Sequence, residues 1–266
     1  MALRFFGWQD GTKTLARGGG ARAALLGGLL CLFCLLPARA EVQRRSLLTL
    51  DDILHQLDRE ARRFESLVAK IERTKVTAVV NDRSTESGQI YVRRDARMLI
   101  EITHPAPRTV LRRGDQLFVF HPRTNRVDEY DLSKHRALVD QFLLLGFGTG
   151  GSDLKKGYRI TLLDEQTLEG KRVVWLELIP KAEAIRSQIA KIHLWIDLAT
   201  WLPVQQKFFE TGSDDYFEIR YSDVVRNARI PDAQFRPRWP RNATRIPQEP
   251  HSDLPTPHGF AGRRFR

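Results

Sequence analysis

Apolar side chains recur in this chain with two different periods. Over residues 49–64, Leu50, Ile53, Leu54, Leu57, Ala61 and Phe64 return every three or four positions, the spacing of one helix face. Thr49 stands where an N-cap belongs, and Asp51 and Asp52 place negative charge at the positive helix end. The pattern predicts an amphipathic helix opening the folded part. After Phe64 the period shortens, with weak alternation through Leu67, Ala69 and Ile71 and again through Val76, Ala78 and Val80. Strand-like runs follow at 89–94, 97–103, 108–112, 116–121, 126–130, 158–163, 172–179, 189–197, 203–210 and 216–224. They are separated by turn formers: Gly88, Pro105-Ala106-Pro107, Gly114-Asp115, Pro122, Gly170, Pro180 and Gly212-Ser213. Runs this closely spaced pair antiparallel, because parallel neighbours need long crossovers.

One segment breaks the series. Ser133 can cap a second helix carrying Leu138, Val139, Phe142, Leu143 and Leu145, which stops at Gly146 and is too apolar to lie on a wet surface alone. Gly146, Gly148 and Gly151 follow and read as a hinge, leading to a polar turn at 152–157. The fold class expected is α+β: an incomplete, half-open antiparallel β-barrel with a helical lid over an apolar concave face.

In such a sheet one face of each strand lines the hollow, as with Ile192, Leu194 and Ile196 against Lys191, His193 and Asp197. The runs 117–120 and 173–176 are apolar on both faces, so helices are expected to cover part of the sheet. The side chains expected to line the hollow are Leu54, Ile90, Val92, Ile100, Leu117, Val119, Leu138, Phe142, Leu143, Trp175, Ile192, Leu194 and Phe208. Periodicity leaves two readings open. The hollow can be an apolar ligand site, where each buried CH₂ contributes ~0.8 kcal/mol, or it can be filled as a solid core.

The first forty residues differ from the rest. Arg4, Lys13, Arg17 and Arg22 precede an apolar run at 23–36, and Pro37-Ala38-Arg39-Ala40 ends it, the layout of a cleavable signal peptide with cleavage expected after Ala40. Both cysteines, Cys31 and Cys34, fall within that run, so the part after Ala40 has neither a disulfide framework nor a thiol nucleophile. The domains expected are a leader at 1–40, a folded domain at 41–236, and a tail at 237–266 whose proline, arginine and histidine content predicts disorder. Beyond residue 40 the chain keeps 38 basic against 31 acidic residues, a surplus that favours anionic partners and says nothing of fold.

Candidate chemistry is sparse. His55, His104, His121, His135, His193, His251 and His258 make no pair with zinc-ligand spacing. The G-x-G-x-x-G of Gly146, Gly148 and Gly151 follows a helix, where the dinucleotide fingerprint follows a strand. Nucleophile elbow and P-loop motifs are missing from the sequence. No enzyme activity, cofactor or metal is therefore expected, and an exported chain is not expected to meet nucleic acid.

Residues 88–94 (GQIYVRR) begin a stretch of family character that continues through Pro105, 114–120 (GDQLFVF), 176–181 (LELIPK), Ile196-Asp197 and Leu202-Pro203-Val204. In these pieces and their order the chain resembles the LolA family of outer-membrane lipoprotein carrier proteins, over residues 46–236. The resemblance implies a monomeric periplasmic carrier whose cavity takes lipoprotein acyl chains from an inner-membrane ABC-type releasing complex and passes them to an outer-membrane acceptor. It also implies a lid held by an arginine at the position of Arg94, though Asp95 stands where the family carries proline. The alternatives are a carrier of free lipid or glycolipid beside a membrane transporter, and a sensor of mislocalised lipoprotein.

Overall fold

The computed structural model describes residues 48–135 and 145–248. The expected leader with its cleavage after Ala40, the helix positions Leu138, Phe142 and Leu143, and residues 249–266 lie outside the described residues.

Helix α1 spans Leu50–Arg63 behind Thr49. The Thr49 hydroxyl accepts from the Asp52 N–H at 3.2 Å while the Thr49 N–H donates to Asp52 Oδ2 at 3.0 Å, so two otherwise orphaned donors are satisfied reciprocally. A hydrogen bond from the Thr49 hydroxyl to Asp52 Oδ2 at 2.6 Å, together with that from the Thr49 N–H, holds the Asp52 carboxyl below its ordinary range. Ile53, Leu54 and Leu57 are buried, as the helical spacing requires.

Twelve strands form one sheet, mostly antiparallel: β1 (Ser66–Thr77), β2 (Asp82–Arg93), β3 (Arg97–His104), β4 (Arg108–Arg113), β5 (Gln116–His121), β6 (Arg126–Asp131), β7 (Tyr158–Leu168), β8 (Lys171–Pro180), β9 (Ile189–Asp197), β10 (Pro203–Glu210), β11 (Tyr216–Arg226) and β12 (Thr244–Gln248). Among the described residues, the order β12-β6-β5-β4-β3-β2-β1-β11-β10-β9-β8-β7 leaves β7 and β12 as edges, so the sheet is open, with few helices. Most neighbours are joined by tight turns. Between Arg113 and Gln116 the link is Gly114-Asp115, with Gly114 at φ +60°, a conformation a side chain would resist.

Three expectations need correction here. The two weak segments at 67–71 and 76–80 are one strand, β1, ending at Thr77 in a 3₁₀ turn, Ala78–Val80. Strand β2 starts at Asp82, well before residue 89, because pairing along β1 (Thr77↔Asp82, Arg73↔Glu86) orders a polar stretch that apolar periodicity cannot register. The polar turn at 152–157 is a short helix, α2 (Gly151–Gly157), with Leu154 buried beneath it. A one-turn helix, α3 (Glu183–Arg186), joins β8 to β9.

The tail is ordered further than expected. Residues 228–239 run over the outer face of the sheet, where Ile230 and Phe235 pack on Leu99 and Leu111. The Trp239 ring lies 5.5 Å from Phe118 and 5.9 Å from Phe120, and β12 pairs parallel with β6. The second apolar face of the 117–120 run is thus covered by this C-terminal segment, not by a helix. Average composition concealed the contact, since a few large side chains supply it. Asp232 fastens the segment, 2.7 Å from Arg93 Nη1 and 2.8 Å from Arg97 Nη1.

The Arg93 and Arg97 hydrogen bonds hold the Asp232 carboxyl below its ordinary range, and Arg93 does the same to Asp95. A depressed carboxyl contributes stability above the unfolded-state pKa and loses it as pH falls through the folded one. Amide protection over 230–239 is therefore expected to fall below about pH 4, and Asp232→Asn should lower it at neutral pH. Unchanged protection in both cases would contradict this anchoring.

Candidate functional site

Among the described residues, α1 is the longest helix, and it is smaller than the inner face of the sheet. Twelve strands at ~4.8 Å spacing run about 50 Å across, whereas α1 is ~21 Å long and ~10 Å thick. Its apolar stripe packs over β8, β9 and β10, in a cluster holding Leu54, Leu176, Ile192, Leu194, Phe208 and Phe217. A second cluster, on the β1–β5 half, holds Leu67, Ile90, Val92, Met98, Ile102, Leu117, Val119 and Tyr221.

Where the two clusters meet, a partly open cavity of about 90 Å³ remains. Ile71, Ile90, Met98, Ile100, Ile102, Val110, Phe208, Phe217, Ile219 and Tyr221 line it, with Arg73, Arg108 and Gln206 as its polar members. Phe208 and Phe217 stack at 4.4 Å to form one wall. A wider groove of about 860 Å³ opens beside the exposed side chains of Lys70, Glu72 and Arg220, where charged groups interrupt any apolar wall. The smaller cavity is the better apolar site.

Residues 145–151 close one side. Gln206 Nε2 donates to the Leu145 carbonyl at 2.6 Å, and the Tyr221 hydroxyl donates to Gln206 Oε1 at 3.0 Å, both buried. Burial pushes the Tyr221 phenol well above its ordinary range, so it stays a neutral donor. Phe147 meets the Tyr221 ring edge-on at 4.8 Å. The glycines let this segment approach α1: a Cβ on Gly148 would collide with the Phe64 ring, and one on Gly151 with the Leu54 carbonyl.

The predicted site residues are distributed unevenly. Ile90, Ile100 and Phe208 line the cavity; Val92, Leu117 and Val119 lie in the cluster on one side of it, and Leu54, Ile192 and Leu194 in the other. Trp175 is the exception. Val174, Leu176 and Leu178 face inward, so Trp175 faces outward, stacked on Trp195 at 5.4 Å and against His193 at 5.2 Å. The 173–176 run is apolar on both faces, and alternation alone could not say which was inner. Arg94 reaches the lid helix, donating from Nη1 to the Arg62 carbonyl at 3.3 Å from an exposed position. A closer tie, unforeseen in the sequence, is Arg226, whose Nη1 and Nη2 hold Glu60 Oε2 at 2.5 Å and the Glu60 carbonyl at 2.8 Å. Also unforeseen were Ile71, Phe217, Ile219 and Tyr221, although alternation in their strands carried the signal. Gln206, Arg73 and Arg108 carried none that set them apart from other polar residues.

A family model described as an uncharacterized protein matches residues 94–235. The chain belongs to that family. It is also similar to a curated relative named outer-membrane lipoprotein carrier protein, from Dechloromonas aromatica (strain RCB), at 27% identity over 150 residues. That match spans 56% of this chain and 66% of the relative, just under two thirds of its length. Among solved structures, an uncharacterized conserved protein from Thermus thermophilus shares the fold at 12% identity and a TM-score of 0.50, over 74% of this chain and 98% of its own. A LolA superfamily protein from Nitrosomonas europaea aligns at 17% identity and a TM-score of 0.38, over 72% of this chain and 99% of its own. The likeness to LolA-type carriers read from residues 88–204 stands.

Removing Gln206 strands both a buried carbonyl and a buried hydroxyl. Gln206→Ala is expected to cost about 2–4 kcal/mol in chemical denaturation and to deprotect residues 145–151 in hydrogen exchange. Loss of stability without deprotection of that segment would show that Gln206 does not anchor it.

Proposed function

We propose that this protein is a periplasmic carrier that binds acyl chains of lipoproteins in the apolar cavity and ferries them from the inner to the outer membrane. The observation that carries the reading is the apolar cavity where two packed clusters of the inner sheet face meet. The name of the Dechloromonas relative supports the same cargo class. The inner-membrane ABC-type releasing complex and the outer-membrane acceptor enter as the partners such a carrier needs, and its task is transfer, without bond chemistry or a cofactor.

The cavity's size sets the mechanism. About 90 Å³ is the liquid volume of roughly three waters, well below the ~300–1,000 Å³ of ordinary ligand pockets. A long acyl chain needs several times that space, so binding must part the two clusters. In this reading α1 and residues 145–151 move as the lid, Arg94 and Arg226 hold α1 until chains wedge beneath it, and Gly146, Gly148 and Gly151 accommodate the bend. Each methylene gains ~0.8 kcal/mol on burial, part of which opens the lid, and the remainder stays small enough for cargo to be released.

Mass spectrometry of the protein purified from a bacterial periplasm after expression with residues 1–40 tests the proposal. Triacylated lipoprotein is expected to copurify, and Ile219→Trp, which fills the cavity, should reduce it about ten-fold or more. Purification without any lipid, or retention unchanged by Ile219→Trp, would overturn the proposal. Free lipid alone would move the cargo to the lipid-transfer alternative.

A further inference from the structure

The inner face changes character along β1. Leu67, Ala69 and Ile71 are apolar, and Arg73 and Lys75 are the next two residues on the same face. Neighbouring strands repeat the change at one end of the cavity: Ile90 gives way to Glu86 on β2, Val110 to Arg108 on β4 and Phe208 to Glu210 on β10.

Arg73 and Arg108 both line the cavity and are only 8% and 7% exposed. They share one carboxylate. Arg108 forks onto Glu86, with Nη1 at 3.2 Å from Oε1 and Nη2 at 3.0 Å from Oε2, while Arg73 Nη1 lies 3.4 Å from Oε2. The Arg73 guanidinium is further held over the Phe217 ring at 4.9 Å. The other carboxylate at this level, Glu210, lies 3.5 Å from Lys75 Nζ. Asp128 is already occupied by Arg126 at 2.8 Å and His121 at 3.2 Å.

The guanidinium groups of Arg73 and Arg108 thus meet on one carboxylate at the end of an apolar cavity. Burying charge is costly, and an anion that accepts from the same donors offsets that cost. The buried Nε of Arg108 also lacks a hydrogen-bond partner among the described residues.

We propose that Arg73 and Arg108, bridged by Glu86, bind the monoanionic phosphate-ester head of a lipid whose acyl chain occupies the adjoining cavity. The proposal rests on the reading of that cavity as an acyl-chain site and adds a phospholipid to its cargo, since the acylated cysteine of a lipoprotein carries no phosphate ester. Two guanidinium forks suit a phosphate, which accepts from several donors at once. Glu86 competes for the same donors, so the head is held by exchange and can be released.

Calorimetric titration of the purified protein with three probes tests this: 1-palmitoyl-lysophosphatidylglycerol, uncharged 1-palmitoylglycerol and glycerol phosphate. The wild type is expected to bind the first at least about ten-fold more tightly than the second, and the third weakly, since it lacks a chain. Arg73→Met and Arg108→Met should each cut that preference to below about three-fold while 1-palmitoylglycerol still binds, and Glu86→Gln should increase it. Thermal melts confirm folding, and Glu86→Gln, which leaves no carboxylate stranded, keeps the test open if an arginine variant unfolds. Equal affinity for the two acyl probes, or a preference that survives both arginine variants, overturns the anion site and leaves the carrier reading standing. Failure to bind either acyl probe overturns both, and tight binding of glycerol phosphate alone overturns the lipid assignment.

Discussion

A β-strand places alternate side chains on opposite faces, and a curved sheet of twelve strands has an inner and an outer face that must each be covered. The outer face is served by residues 228–239, which lay Ile230, Phe235 and Trp239 over β3, β4 and β5. Among the described residues, the inner face is served by α1, residues 145–151 and the sheet's own side chains, and a cavity remains where the two packed clusters meet.

Buried polarity on the inner face falls into two sets with different consequences. Gln206 and Tyr221 satisfy each other and the Leu145 carbonyl, so they rigidify the region without adding charge. Arg73, Glu86 and Arg108 sit further along the same face and carry charge into a partly desolvated position. The apolar stretch between them is bounded by a neutral anchor on one side and a cationic one on the other, an asymmetry suited to an amphiphile lying lengthwise.

Much of this was legible in the sequence because two periods dominate it. The capping residues Thr49 and Asp52, the period near 3.6 from Leu50 to Phe64, and the short alternating runs were enough for α1, for the antiparallel strands and for an open sheet under a helical lid. Where side chains on both faces are apolar, alternation loses its meaning, and Trp175 was assigned to the wrong side. Where they are polar, as at 82–88, only the partner strand supplies the order. The start of the tail was misjudged because composition averages over residues while anchoring depends on a few, here Trp239 and the strand β12. The cavity's charged end was invisible for a related reason: Arg73, Glu86 and Arg108 are far apart in sequence and meet only through the register of β1, β2 and β4.

The central claim is that an acyl chain enters the inner face between the two clusters, and a paramagnetically labelled palmitic acid tests it most directly. In NMR spectra of the protein with this probe, signals of Ile71, Ile100, Phe217 and Ile219 are expected to broaden, with those of residues 145–151 shifting as the lid parts. Broadening confined to the outer groove around Lys70, Glu72 and Arg220, or none at all, would contradict the account.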